Sequence, residues 1–407
     1  MTSFSATLGP APIIRCLNVK YSPNLGDGLL SECLEWALLG QGADPRSGSI
    51  DLAGRTEYGQ SMAGRGAVMS VLETMPPSLR QQLVRVPLAI QSRRKWQPHY
   101  ETSLQDAQYA VIGGGNLLSD MDLNFPTKLR LALSEVRKNN IPAAIFAAGM
   151  GGHWSREGLK RMRAAVAGGV LNAVYLRDEA SKDRWDRLLG DAAGCQATVV
   201  RDPGLLARLC YPQTTVRKAD MPTVALGIMS SVAIRYHSDI HADPRALRKW
   251  YVDLATALHQ KGARVVVFTN GAPEDLAELD AVLPDLRAAV PSVVYRPFQR
   301  PSDIAELMAN CDAVAAYRMH ALIAAQSFGV PTLAMAWDDK VASFLASVGR
   351  GDWLFDANLP AQDAANILLD LAQNPIDAQH RDSIVSDALN DVATLYQALC
   401  RAGSLNA

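Results

Sequence analysis

Short apolar runs recur along the chain, and most are followed by a segment whose apolar residues repeat at helical spacing. The first run covers residues 13–19, and an amphipathic stretch follows at 29–39. Further runs fall at 109–112, 143–148, 173–176 and 198–200, alternating with helical patterns at 129–138, 157–167 and 181–189. Continuous apolar runs of this length, separated by helices, predict buried parallel strands in an α/β fold. The rhythm breaks at 211–221 (YPQTTVRKADM), which predicts a linker. A second series then begins, with strands predicted at 223–228, 263–268, 293–295, 313–317, 332–336 and 353–355. Asp243-Pro244 opens one of its helices as N-cap and first-turn proline, and two helices, at 361–373 and about 378–401, close the chain. The expected architecture is two Rossmann-like domains facing a cleft. They span residues 1–212 and 213–375. Residues 376–407 form a terminal helix packing back on the first domain. Residues 40–75 are glycine-rich and polar, and predict loops with at most one strand.

The densest chemistry lies in residues 311–340. Arg318, Met319 and His320 follow the run at 313–317, where helix-forming residues begin. Gly329 sits at a left-handed helix stop, and Val330-Pro331 bars further helix. Lys340 lies just beyond the next run. Open parallel sheets bind ligands at the carboxyl ends of their strands, and a helix start adds unpaired N–H groups. Two cations, an imidazole and a helix N-terminus on one rim suit an anionic ligand that needs a proton moved. The plain alternative is that Arg318 and His320 only cap local structure. Earlier strands also end in polar or small groups. Asn24, Gly26 and Asp27 read as a turn, Gly113-Gly114-Gly115-Asn116 lets backbone approach a ligand closely, and Arg177-Asp178 precedes a helix. His153 is the next histidine candidate, and Arg235, Tyr236 and His237 also follow a strand.

At 407 residues the chain suits two domains. A hydrophobic content of 48% with a net charge of −1 fits a soluble globular protein and excludes a disordered one. Residues 1–210 hold 24 Lys/Arg against 19 Asp/Glu, too small an excess for a nucleic-acid binder. Six scattered cysteines without a CxxC pair predict buried reduced thiols and no zinc site. No run approaches the ~18 residues of a membrane span, and the first residues lack the pattern of a signal peptide, so a cytoplasmic protein is expected. Arg93-Arg94-Lys95-Trp96 reads as a solvated loop or as a surface touching a membrane or an anionic carrier. The second reading would put the protein at the inner face of the membrane.

Taken in order, Asn24-Leu25-Gly26-Asp27, Gly113-Gly114-Gly115-Asn116, Arg177-Asp178, Arg318-Met319-His320-Ala321-Leu322, Gly329-Val330-Pro331 and Asp339-Lys340-Val341 form a series. Over roughly residues 13–345 the chain resembles the polysaccharide pyruvyl transferase family, with Met319 where a leucine is usual. The resemblance implies the two-domain GT-B architecture and transfer of pyruvate from phosphoenolpyruvate to a sugar as a ketal, without cofactor or metal. The donor carries a carboxylate and a phosphate, which arginine forks bind well. Arg318 and Arg177, with Lys340, are the expected donor contacts. His320 is the expected proton carrier, since imidazole titrates near pH ~6.5. Asp27 would orient an acceptor hydroxyl or take its proton, and Asn24, Gly114, Gly115 and Asn116 would line the site. The acceptor would be a saccharide, lipid-linked or polymer-bound. A nucleotide-sugar glycosyltransferase is the competing reading. It calls for a ribose-binding glutamate in the second half, where Glu274 and Glu278 read as solvated helix residues. A non-catalytic carbohydrate binder is a third, against which the intact Arg318 and His320 count.

Overall fold

The computed structural model describes residues 11–59, 88–120, 122–213, 221–237, 243–356 and 358–406. Among the described residues, twelve strands form two parallel sheets. The first holds β1 (Ile14–Asn18), β2 (Gly48–Asp51), β3 (Tyr109–Gly113), β4 (Ala143–Ala148), β5 (Leu171–Leu176) and β6 (Thr198–Val199), in the order β2-β1-β3-β4-β5-β6. The second holds β7 (Thr223–Gly227), β8 (Arg264–Phe268), β9 (Val294–Tyr295), β10 (Ala313–Ala316), β11 (Thr332–Met335) and β12 (Leu354–Phe355), in the order β12-β11-β10-β7-β8-β9. Every residue of β4, β10 and β11 is buried. Helices cover both faces, which is why these strands are apolar but for Thr332 rather than alternating.

Six helices position the site. They are α1 (Leu25–Gly40), α2 (Glu179–Trp185), α3 (Pro273–Ala289), α4 (Met319–Phe328), α5 (Asp339–Ser347) and α6 (Ala378–Asn406). Strand order reverses between β1 and β3 in the first sheet and between β7 and β10 in the second. Such switch points open a crevice at the carboxyl ends of the strands. The two crevices are held against each other by packing. A Cβ on Gly204 would lie 2.4 Å from Leu30 of α1 and 2.8 Å from Ile323 of α4. One apolar core runs through α1, α4 and the second sheet. Further along, the Arg201 backbone N–H donates to Asp391 of α6 at 2.7 Å.

Two local expectations are corrected. Asn24, Gly26 and Asp27 do not form a free-standing turn before a helix at residue 29. The Asn24 side chain accepts the Gly26 N–H at 3.2 Å, so α1 starts at Leu25 and puts Gly26 and Asp27 in its first turn. Ser92–Trp96 is a helical turn, not a loop, and its tryptophan is not interfacial. Trp96 is 3% exposed, packs in the core beside the first sheet and carries the Lys128 ammonium 4.9 Å above its ring. Only Arg93, Arg94 and Lys95 face outward. Residues 60–75, part of the expected linker (214–220) and the side chains of Tyr236 and His237 lie outside the described residues.

Candidate active site

The second rim is built around Arg318. β10 ends at Ala316, Tyr317 is buried, and Arg318 takes an extended conformation as the N-cap residue of α4. Its guanidinium donates from Nε to Asp275 Oδ2 at 2.8 Å and from Nη2 to Glu274 Oε1 at 3.2 Å. Asp275 is fully buried, and its other oxygen accepts the Ser230 N–H at 2.9 Å. One carboxylate therefore ties the loops after β7 and β10, the two sides of the switch point. Burial pushes the Asp275 carboxyl above its ordinary range, against the pull of Arg318. The expectation that Glu274 and Glu278 are solvated holds for Glu274, which is exposed while it pairs with Arg318. It is corrected for Glu278, which is buried and receives Arg248 at 2.6 and 3.2 Å.

Lys340 lies in the first turn of α5, which Asp338 caps by accepting the Lys340 N–H at 2.9 Å. The lysine Nζ sits 2.7 Å from the other Asp338 oxygen and 4.3 Å above the Trp337 ring. Burial lowers its pKa. Asp338 opposes that shift, while Arg177 and Arg318 add to it.

The first rim meets this one through His320. The imidazole is 12% exposed and lies flush on Gly26, where a Cβ would come within 2.4 Å of the ring. Its Nε2 is 3.8 Å from Asp27 Oδ1. Gly114 and Gly115 turn back behind Asp27 with φ of +79° and +71°, a region that favours glycine. A Cβ on Gly115 would stand 3.4 Å from the same Asp27 oxygen. Asn116 follows, half-buried. Burial drives the His320 pKa down to about 3, and Arg177, Lys340 and Arg318 push the same way. An imidazole titrating near its ordinary value is thus corrected to one held neutral. Burial raises Asp27 to about 6, against Ser22, Arg55 and Arg318. At neutral pH the pair is a neutral imidazole beside a carboxylate.

Arg177 reaches this cluster from the end of β5. It is 8% exposed and lies against Gly149, where a Cβ would stand 2.3 Å from Nη2. Its Nε sits 3.4 Å from Asp178, which caps α2 by accepting the Ser181 N–H at 2.7 Å. Asp202 bears on it too, its own carboxyl pushed up to about 6 by burial. Arg177 Nη1 has no hydrogen-bond partner.

The structure therefore gathers Asp27, Arg177, Arg318, His320 and Lys340, with Gly114 and Gly115 shaping the floor. Asn24 stands at the same rim, but its side chain is engaged as a helix cap. His153 and Arg235 are exposed. The sequence reading missed Asp275 and Asp338. The acids at the two helix starts were visible, but nothing in the sequence showed which cation each would face. Among the described residues, no three His, Cys, Asp or Glu side chains form a metal-binding group.

Residues 24–339 match the family described as polysaccharide pyruvyl transferase. Among curated proteins, none matches the chain. Among solved structures, it is similar to a putative UDP-N-acetylglucosamine 2-epimerase from Listeria monocytogenes, at 10% identity over 96% of each chain with a TM-score of 0.53. It is also similar to UDP-GlcNAc 2-epimerase from Neisseria meningitidis bound to UDP-GlcNAc. There the identity is 11%, covering 96% of this chain and 99% of that one, with a TM-score of 0.51. At these identities the likeness is one of fold, the GT-B-like pairing of two Rossmann-like halves.

Proposed function

The chain belongs to the polysaccharide pyruvyl transferase family, and from that premise we propose that it moves pyruvate from phosphoenolpyruvate to a sugar residue of a saccharide as a ketal, releasing phosphate. The observation that carries this reading is the convergence of Arg177, Arg318 and Lys340 on one buried imidazole. A ligand with a carboxylate and a phosphate a few ångströms apart would balance those three charges. Arg318 and Lys340 are held in place by carboxylates before any ligand arrives, so little ordering cost falls on binding.

Burial and, after it, the three cations hold His320 neutral, and in this reading the donor's negative charges offset the cations. The imidazole then takes up a proton and delivers it to the methylene carbon, which becomes a methyl group. Positive charge develops at the adjacent carbon and a sugar hydroxyl adds there, losing its proton. The bond to the phosphate oxygen breaks, and a second hydroxyl of the same sugar closes the ketal, releasing another proton. Of the two protons released, one replaces that consumed and the other leaves with phosphate. Asp27, 3.8 Å from the imidazole, is placed to accept a hydroxyl proton. Glu274 and Glu278, the glutamates considered for a nucleotide sugar, are both bound to arginines, which counts against that alternative.

Among the described residues no helix is long and apolar enough to cross a membrane. Contact with a lipid-linked acceptor, in this proposal, would fall to the exposed Arg93, Arg94 and Lys95. The test is thermal protection. Phosphoenolpyruvate at about 100 times its Kd should add about 2.7 kcal/mol of stability, and Arg318→Ala should abolish the protection. Protection by a nucleotide sugar alone would sink the proposal.

A further inference from the structure

A second cluster of side chains stands beside the first rim, at the carboxyl ends of β1 and β2. Lys20, Tyr21 and Ser22 follow β1, and Arg55 and Tyr58 follow β2. The Ser22 side chain bonds the Asp27 carboxyl, and Arg55 pulls on the same group. The cations that bear on His320 are Arg177, Lys340 and Arg318, not Arg55. Asp27 therefore stands between the imidazole on one side and this cluster on the other.

The cluster holds two aromatic rings in place. Those of Tyr21 and Tyr58 meet edge to face, with centroids 5.1 Å apart. Tyr58 lies on Gly28 of α1, where a Cβ would come within 2.8 Å of its ring and hydroxyl. The same Cβ would lie 2.8 Å from Pro301, which opens the helix Pro301–Ala309 of the second half. The Tyr58 hydroxyl donates to Glu32 at 2.7 Å, and Tyr211 donates to the other oxygen of that carboxylate. The Tyr21 N–H donates to Asp51 at 3.0 Å, and Asp51 also receives Arg55 at 3.0 and 3.1 Å. Both tyrosines are only half-buried.

The charges define what can lie there. Glu32, Glu35 and Asp51 stand against Lys20 and Arg55, so the cluster offers an anion no surplus of positive charge. A neutral sugar ring fits better. Its C–H face packs against the electron-rich face of an aromatic ring. Its hydroxyls donate to carboxylates and accept from a guanidinium or a serine, since each hydroxyl does both. The basic turn Ser92–Trp96 borders the same edge. Lys95 extends across Gly54, next to Arg55, where a Cβ would stand 2.9 Å from its Cε.

We propose that Tyr21 and Tyr58 form the platform on which the acceptor sugar lies, with Asp27 at its reacting edge and Ser22 and Arg55 beside it. The inference rests on the pyruvyl transferase reading and adds a place and named contacts for the second substrate. A ketal takes two hydroxyls of one sugar, so the ring must be held with that edge toward the donor. A platform beyond Asp27 from the imidazole does this, and it leaves the exposed cations of Ser92–Trp96 to the acceptor's anionic carrier.

The test removes the rings and leaves the donor contacts alone. Tyr58→Ala and Tyr21→Ala each delete one ring, while Tyr58→Phe keeps the ring and loses only the bond to Glu32. The probes are the methyl glycosides of glucose, galactose and mannose, observed by saturation-transfer NMR with phosphoenolpyruvate present. At least one should bind the unaltered protein. Tyr58→Ala should weaken that binding by about tenfold and Tyr21→Ala severalfold, with Tyr58→Phe close to the unaltered protein. Thermal protection by phosphoenolpyruvate should be unchanged in all three, which also shows that they fold. Should Tyr58→Ala not fold, Tyr21→Ala decides. If phosphoenolpyruvate protects but no glycoside binds, the platform assignment is wrong and the donor reading stands. The same holds if binding survives both alanine substitutions, or if Tyr58→Phe costs as much as Tyr58→Ala. If phosphoenolpyruvate does not protect the unaltered protein, both fall.

Discussion

At the first switch point, between β1 and β3, the chain presents mostly backbone. Gly26 gives the imidazole room, Gly114 and Gly115 turn with positive φ, and Asn24 is occupied in capping α1. Asp27 is the one ionisable group there among the predicted site residues. At the second, between β7 and β10, the chain presents charge. Arg318 is fastened to Asp275 and Glu274, and Lys340, one strand along, to Asp338. The same topology thus yields a rim shaped for close approach and a rim arranged for electrostatics. Buried cations persist on the second because each was given a carboxylate; an unpaired one would cost several kcal/mol. Arg177 crosses the division, bringing a cation from the first sheet with one guanidinium nitrogen unmatched. The asymmetry suits a reaction in which one substrate is an anion to be neutralised and the other a set of hydroxyls to be oriented.

The sharpest way to break the comparison is at His320, where the rims meet. Replacing it with alanine should lower phosphate release by about 10²–10⁴-fold, the usual range for a general acid or base. Protection by phosphoenolpyruvate should remain. Donor binding to the unaltered protein should also take up a proton, seen as calorimetric heats that vary with the buffer's ionisation enthalpy, and the variant should lose that uptake. Retained turnover would remove the imidazole from proton transfer. The next effect concerns the charged rim alone. Asp275→Ala leaves Arg318 without its buried partner and uncaps the Ser230 N–H, so a stability loss of about 3–5 kcal/mol is expected in denaturant unfolding. Asp275→Asn, which keeps one hydrogen bond, should lose less and weaken donor binding more than it weakens turnover at saturating donor. Equal effects of the two substitutions would show that charge is not what Asp275 supplies.

Much of this frame was readable from the chain, for identifiable reasons. Ala313–Ala316 is apolar throughout, Thr332–Met335 is apolar after its first residue, and Gly329 follows α4 with φ of +78°, so strand, helix and strand could be placed from composition alone. Arg318, His320 and Lys340 could be put on the rim because little separates them from those strands. The partners could not. Asp275 lies 43 positions from Arg318, and an acid in a first helical turn looks the same whether it faces solvent or a guanidinium. The imidazole's depressed pKa was equally hidden, since it arises from burial on Gly26 and from cations on three separate loops. Trp96 misled for the opposite reason. Its basic neighbours suggested a surface, while the turn Ser92–Trp96 sends the indole inward and the cations out.

The smallest effect bears on the first rim and should run against activity. Asp27 titrates at about 6 in the folded protein, against about 3.9 in an unfolded chain. The folded state therefore binds the proton more readily, and stability is lost as pH rises through roughly 4 to 6. Above that window the buried carboxylate is ionised in both states and its cost is fully present. Asp27→Asn removes the cost, so the variant should be more stable than the unaltered protein at pH 7.5, by about 1–3 kcal/mol. The advantage should close as pH falls toward 4. His320 contributes the reverse slope, stability lost as pH falls from about 6.5 toward 3, but it does so in both proteins and drops out of the difference. Phosphate release should fall in the same variant, because the amide cannot take a hydroxyl proton. Melting temperatures of the two proteins across pH 4–8 decide the matter. A constant gap would mean that Asp27 is as well solvated as a surface acid, and the shaped rim would lose the carboxylate proposed to take a hydroxyl proton.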